Sequence, residues 1–131
     1  MSTSTETLTT KQVADRLVSL CQEGKFEDAI RELYAPNIVS LEPEGGNAPP
    51  KLSGFDNVIG KTKQFNEMIE EHHGVKVSDP IVANDHFAVA MEVDCTFKGM
   101  GRMTMSEICN YKVQDGKVVW EQFHFSVPPK S

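Results

Sequence analysis

Apolar residues recur along this chain with two different periods, and the switch from one to the other divides it. Val13, Leu17, Leu20 and Cys21 fall on one helical face ahead of Gly24, and Thr9 with Gln12 has the spacing of a capping box. Phe26, Ala29, Ile30 and Leu33 repeat the helical spacing until Pro36, which lacks the amide a helix interior needs. Asn37 to Glu42 reads as a short strand, and Pro43 to Gly54, crowded with proline and glycine, as one long irregular loop. Phe55, Val58, Ile59, Thr62, Phe65, Met68 and Ile69 restore the helical period, with Gly74 as its stop.

From Val75 the period is two. Turn signals at Asn84-Asp85, Lys98-Gly99 and Asp115-Gly116 divide the remainder into four strands whose short connections make them antiparallel neighbours. Met91, Val93, Cys95 and Phe97 alternate with Glu92, Asp94 and Thr96, while Met103, Met105, Glu107, Cys109 and Tyr111 alternate with Thr104, Ser106, Ile108 and Asn110. Three helices and a sheet with one apolar face predict an α+β fold, a cone-shaped α+β roll with three N-terminal helices packed on a curved, mostly antiparallel β-sheet. The expected organisation is a disordered tail at 1–8, one domain at 9–127 and a C-terminal tail at 128–131.

Composition narrows the function. The 131 residues, 39% of them hydrophobic, suffice for one domain with a real core. A net charge of −6 with scattered Lys and Arg argues against a nucleic-acid or anionic membrane partner. No apolar run approaches the roughly 20 residues that span a bilayer, and Met1 to Thr7 has no apolar signal region, so a cytoplasmic location is expected. Cys21, Cys95 and Cys109 lack the close spacing of a zinc or redox motif and read as reduced, buried thiols with no histidine beside Cys95 or Cys109. His72 and His73, adjacent on the expected helix, diverge by about 100°, and His124 points away from Phe123 and Phe125. No metal and no cofactor are expected.

The candidate chemistry lies in two carboxylates, Glu42 and Glu107, each at a strand register that faces the core, where a charge is costly unless it has a partner or a task. Each has a plainer reading. Glu42 can bond loop amides before Pro43, and Glu107 can pair with Arg102 or a tyrosine hydroxyl. Phe65, Met68, Met91, Val93, Cys95, Met103, Met105, Phe123 and Phe125 would line a hydrophobic ligand site, or else are simply core.

Phe26-Glu27-Asp28-Ala29-Ile30, Leu33-Tyr34-Ala35-Pro36-Asn37 and the strand Met91 to Phe97, in this order of elements, resemble the nuclear transport factor 2-like superfamily, nearest its SnoaL-like and ketosteroid-isomerase-like branches. The likeness spans about residues 9 to 127. It implies a general base at Glu42, before Pro43, and an acid that holds an oxyanion near Glu107, a gapless count giving Ile108 instead. The hydroxyl donor of the isomerases falls near Leu17, which donates nothing, so the resemblance points to another donor such as Tyr34 or Tyr111, and to Leu17 as part of the ligand wall.

Two functions remain open. One is a cofactor-independent isomerase or polyketide-cyclase-type enzyme that binds a small apolar or polycyclic molecule and moves a proton through Glu42 and Glu107. The other is a non-catalytic ligand-binding or interaction module. A homodimer through the outer sheet face is also expected, because Trp120 and Ile108 take outward registers together and the resemblance implies the same arrangement.

Overall fold

The computed structural model describes residues 7–46 and 48–126, so the expected tails at 1–8 and 128–131 lie mainly outside the described residues. Helix α1, Thr10–Gln22, opens on the capping box: Thr9 Oγ1 accepts from the Gln12 amide at 3.1 Å and Gln12 Oε1 from the Thr9 amide at 2.9 Å. Val13, Ala14, Leu17 and Leu20 turn its buried face inward. Helix α2, Phe26–Leu33, buries Ala29, Ile30 and Leu33.

Strand β1, Tyr34–Leu41, follows α2 without a turn and starts three residues before the Asn37 that the sequence suggests. Pro36 therefore sits inside a strand instead of closing a helix. The ladder to its neighbour is irregular between Tyr34 and Val39, where the proline has no amide to give. The expected loop also contains regular structure. Strand β2, Lys51–Ser53, lies between Pro50 and Gly54 and pairs antiparallel with β1, which gives its amides partners.

Helix α3, Phe55–Met68, ends six residues before Gly74, and β3, Ile69–Val77, begins at once. The polar run Glu70 to His73 is compatible with a helix, but Ile69 pairs with Phe97, His72 with Cys95 and Val75 with Val93, so long-range pairing overrides local preference. His72 and His73 are thus on a strand and reach opposite faces, His72 toward Cys95 and His73 toward Thr96. Strands β4, Ile81–Ala83, β5, His86–Phe97, β6, Gly101–Gln114, and β7, Lys117–His124, follow the three turn signals.

The strands form one curved sheet in the order β2-β1-β7-β6-β5-β3, with β4 also on β5. Every pairing is antiparallel except that of β1 with β7, so the sheet is mixed and mostly antiparallel. The three helices cover its concave face, where Leu17, Leu33 and Val58 meet Phe87, Val89, Cys109 and Val118 in a continuous core.

The β6–β7 turn carries Gly116 at φ +75°, and a Cβ there would come 2.8 Å from Thr7 Cγ2 and 3.0 Å from the Leu8 amide nitrogen. Thr7 and Leu8, expected in the free tail, instead lie against this turn. Gly116→Ala is expected to destabilise the protein by about 1–3 kcal/mol, read as a lower urea midpoint. An unchanged midpoint would contradict this packing.

Candidate functional site

Strand register lays the concave face out in rows. Ser40 of β1 pairs with Glu121 of β7, Glu121 with Tyr111 of β6, and Tyr111 with Phe87 of β5, all buried at the closed end. The next row holds Phe123, Cys109 and Val89, with Glu42 one residue past β1 beside it. Glu107 pairs with Met91 in the third row, and Phe125, just past β7, continues it. Met105 with Val93, then Met103 with Cys95 and His72, complete the face toward the open end. Exposure rises along β6 but not along β5: Ser40 and Glu121 in the first row are 1% and 2% exposed and Met103 in the last is 42% exposed, while its partner Cys95 stays buried.

Helix α3 brings one cation into this arrangement. Lys61 Nζ lies 2.6 Å from Glu42 Oε2, donates to Ser40 Oγ at 2.9 Å and sits 5.0 Å from the centre of the Phe123 ring. Both Lys61 and Glu42 are largely screened from solvent. Among the described residues Glu42 therefore binds an ammonium and no loop amide; its own amide donates to the Pro50 carbonyl at 2.9 Å and holds the loop closed. Gly46 of that loop packs on the Phe125 ring, which puts the loop at the open end of the face.

Deeper in, the Tyr34 hydroxyl donates to Glu121 Oε1. Burial raises the Glu121 pKa, opposed by Lys61, Tyr34 and Ser40. Burial, followed by the charge of Glu121, likewise holds the Tyr34 hydroxyl well above its ordinary range. Burial pushes the Cys21 thiol up to about 12.

Glu107, unlike Glu42, has no cation within ion-pair distance among the described residues. Arg102, its expected structural partner, pairs instead with Asp94 on the outer face through two hydrogen bonds of 3.1 and 2.9 Å. The Cys109 thiol donates to Glu107 Oε1 at 3.4 Å. Burial raises the Glu107 pKa to about 6; the Cys109 contact opposes this, Glu42 and Glu121 add to it, and Lys61 lowers it. Cys109 is itself held far above the usual thiol range by burial and by Glu107.

The expected wall residues divide into two groups. Leu17, Tyr34, Met91, Val93, Cys95 and Tyr111 belong to the packed core. Phe65, Met105 and Phe123 are partly buried against it, Phe125 is half-buried, and Met68 and Met103 form an exposed rim. Two open depressions, of about 630 and 380 Å³, include none of Glu42, Lys61 or Glu107; of the expected wall residues only Tyr34 lines one, the larger of the two. Cys95 does have a histidine beside it, contrary to expectation: β3 lies one strand over, and His72 Nδ1 is 3.4 Å from Cys95 Sγ. Burial nevertheless raises the Cys95 pKa. Among the described residues, no three His, Cys, Asp or Glu side chains are grouped to hold a metal.

Ser40, Lys61 and Glu121 were not singled out by sequence reasoning. A signal existed for two of them. Glu121 shares the register of Phe123 and Phe125, and Lys61 lies three residues after Val58 and four before Phe65, on the helix face that packs inward.

The SnoaL-like domain family matches residues 8–125. The chain belongs to the SnoaL-like domain family. It is thereby a member of the SnoaL branch of the nuclear transport factor 2-like superfamily. A candidate SnoaL-like polyketide cyclase from Mesorhizobium loti is 30% identical, with 90% of this chain and 100% of that one covered at a TM-score of 0.82. A nuclear transport factor 2-like protein of unknown function from Burkholderia pseudomallei is 15% identical, covering 92% and 93% at 0.75. A Catenulispora acidiphila protein with a ketosteroid isomerase-like fold, in complex with trimethylamine, is 16% identical, covering 88% and 86% at 0.70. The last two bear on the fold alone. No functionally curated protein matches the chain.

The raised Glu107 pKa has a consequence for stability. The folded state holds a proton on Glu107 that the unfolded chain releases near 4.5, so this group favours folding fully at low pH and loses that contribution as pH rises from about 4.5 through about 6. Glu107→Gln removes the dependence. Relative to wild type, the variant is expected to gain stability over that window, by on the order of 2 kcal/mol, measured by urea denaturation at pH 4.5 and 7. A constant difference between the two proteins would contradict the placement of Glu107.

Proposed function

We propose that this SnoaL-like protein binds a small, largely apolar molecule at the open end of the concave face and moves a proton on it without a cofactor, as an isomerase or cyclase does. The observation that carries this reading is Glu107, a half-buried carboxyl whose pKa is raised to about 6 and which has no cation partner among the described residues. A general base works best when its pKa lies near the working pH, and Glu107 meets that condition. Glu42, occupied by Lys61 at 2.6 Å, serves to hold charge in place. The Met68 and Met103 thioethers at the rim, with Met105 partly buried behind them, adapt to an irregular apolar shape.

Deuterium exchange at the α-carbon of apolar cyclic ketones, followed by proton NMR, tests this reading. Wild type is expected to catalyse exchange with a rate that rises as Glu107 ionises near pH 6, and Glu107→Gln to lose about 100-fold or more. Exchange that survives in Glu107→Gln would remove Glu107 as the base. The second reading, a ligand-binding module, is favoured by Leu17, buried in the core where the isomerase-like resemblance calls for a hydroxyl donor. Ligand binding with no exchange in wild type would select it.

The assembly we propose is a homodimer through the outer face. Val39 and Trp120 are register partners there, and Ile108 is 47% exposed on the same face. Light scattering at micromolar protein is expected to give twice the chain mass, and Trp120→Glu to shift it toward one. A wild-type monomer would overturn the dimer. The three free, buried cysteines fit a reducing compartment such as the cytoplasm.

A further inference from the structure

Toward the open end of the concave face, the Val93–Met105 row separates Glu107 from a row of different character: His72 of β3, Cys95 of β5 and Met103 of β6. Cys95 is the register partner of both others, so the three stand abreast on adjacent strands. Residues directly opposite on antiparallel strands share a face, with Cβ atoms about 4.5–5.5 Å apart. His72 Nδ1 lies 3.4 Å from Cys95 Sγ, which places the imidazole on this side of the sheet. Arg102, the residue before Met103, reaches Asp94 on the outer face, so Met103 points to the concave one. The proton-transfer reading uses none of these side chains.

An imidazole nitrogen, a thiol sulfur and a thioether sulfur are three donors of the kind that soft metal ions prefer, and thiolate with thioether selects Cu(I). The spacing fits as well. A metal–sulfur bond of about 2.3 Å and a metal–nitrogen bond of about 2.0 Å, at a tetrahedral angle, hold the two donor atoms about 3.5 Å apart. His72 Nδ1 and Cys95 Sγ already stand at 3.4 Å, so one ion can take both without a change in the spacing of β3 and β5. Met103 is 42% exposed and unbranched, free to swing its sulfur onto that ion from the neighbouring strand. Burial keeps the Cys95 thiol protonated, which argues against a cysteine nucleophile activated by His72.

We propose that His72, Cys95 and Met103 form a three-donor site for a soft monovalent metal ion, Cu(I), with Ag(I) as its redox-inert mimic. On binding, the Cys95 thiol gives its proton to solvent and an S–Cu bond replaces the S–H bond. Lone pairs of His72 Nδ1 and Met103 Sδ complete the coordination, and the ring proton of His72 lies on Nε2. Copper stays in its reduced state, so the step needs no oxidant or reductant. The thiolate cancels the charge of a monovalent ion, and the neutral complex suits a face lined by Val93, Met105 and Phe97. Zn(II) would keep a positive charge there and lack its four-donor set, while Mg²⁺ and Ca²⁺ need oxygen ligands that these three side chains do not supply. Because the third donor is a thioether, the site is not a grouping of His, Cys, Asp and Glu alone.

The test titrates the full chain with Cu(I), without oxygen, against a chromogenic Cu(I) chelator. Wild type is expected to take one ion per chain from the chelator. Loss of a partner behind a metal ligand costs about 10–100-fold in affinity, so loss of a ligand is expected to cost about 100-fold or more for Cys95→Ser and about tenfold or more for His72→Gln and Met103→Leu. His72 and Met103 are exposed, so their variants are expected to keep the wild-type urea midpoint and carry the test even where Cys95→Ser, at a buried position, loses stability. Methionine-methyl NMR with Ag(I) identifies the thioether: the Met103 signal is expected to shift while those of the equally exposed Met68 and Met100 stay in place. Zn(II) at the same concentration is expected to shift none of them. A wild type that leaves copper on the chelator overturns the site, as does an affinity unchanged by any one of the three substitutions. Binding lost on Cys21→Ser or Cys109→Ser instead, or a silver shift at Met68 or Met100 in place of Met103, overturns it equally.

Discussion

A carboxyl group buried at the closed end of a cone must be given partners, and the partners of Glu121 tie together parts of the chain that have little else in common. Tyr34 begins β1, Ser40 lies near its end, and Ser40 in turn receives Lys61 from α3. The parallel pairing of β1 on β7 sets Ser40 beside Glu121. An unpaired carboxylate there would cost several kcal/mol, so the register of β1, the position of α3 and the geometry of Lys61 are specified jointly. The polar chain begins in the dry interior at Tyr34 and Glu121 and ends at the partly exposed Lys61–Glu42 pair.

Along that chain the surroundings change in a graded way. Glu121 is enclosed and bonded on several sides, Glu42 is screened but held by an ammonium, and Glu107 has a thiol and apolar neighbours. Three chemically identical side chains thereby come to sit differently: one is bonded into the scaffold, one fixes a cation and one has a raised pKa with no cation partner among the described residues. Environment assigns the role, as general physical chemistry requires of any set of like titratable groups.

The sheet face was legible in the sequence because period two is strict from β5 through β6, and Glu107 could be placed on the concave side from alternation with Ile108 alone. Glu42 was legible as the last residue before a proline-rich connection. The start of β3 was not, since Glu70 to His73 carry no strand pattern of their own and become a strand only by pairing with residues more than twenty positions away. Lys61 escaped for a related reason. A lysine on a helix is ordinarily a solvated residue, and what draws this one inward, Glu42 and Ser40, arrives from across the fold. Contacts between β3 and the centre of the sheet hid the Cys95–His72 approach in the same way.

Between Met68 and Ile69 the chain passes from helix to strand with no intervening turn, and the Met68 carbonyl accepts from the Lys98 amide at 2.9 Å while Ile69 pairs with Phe97. The helix is therefore clamped rotationally by the sheet at its C-terminal end. A junction with no slack converts length into angle: one residue inserted between Lys61 and Met68 turns the upstream helix by about 100° against the fixed strand. Lys61 would leave Glu42 and another side chain would face the mouth. Insertions and deletions in this half-helix thus act as a dial on the charge presented at the open end of the face, changing its chemistry while every strand keeps its register.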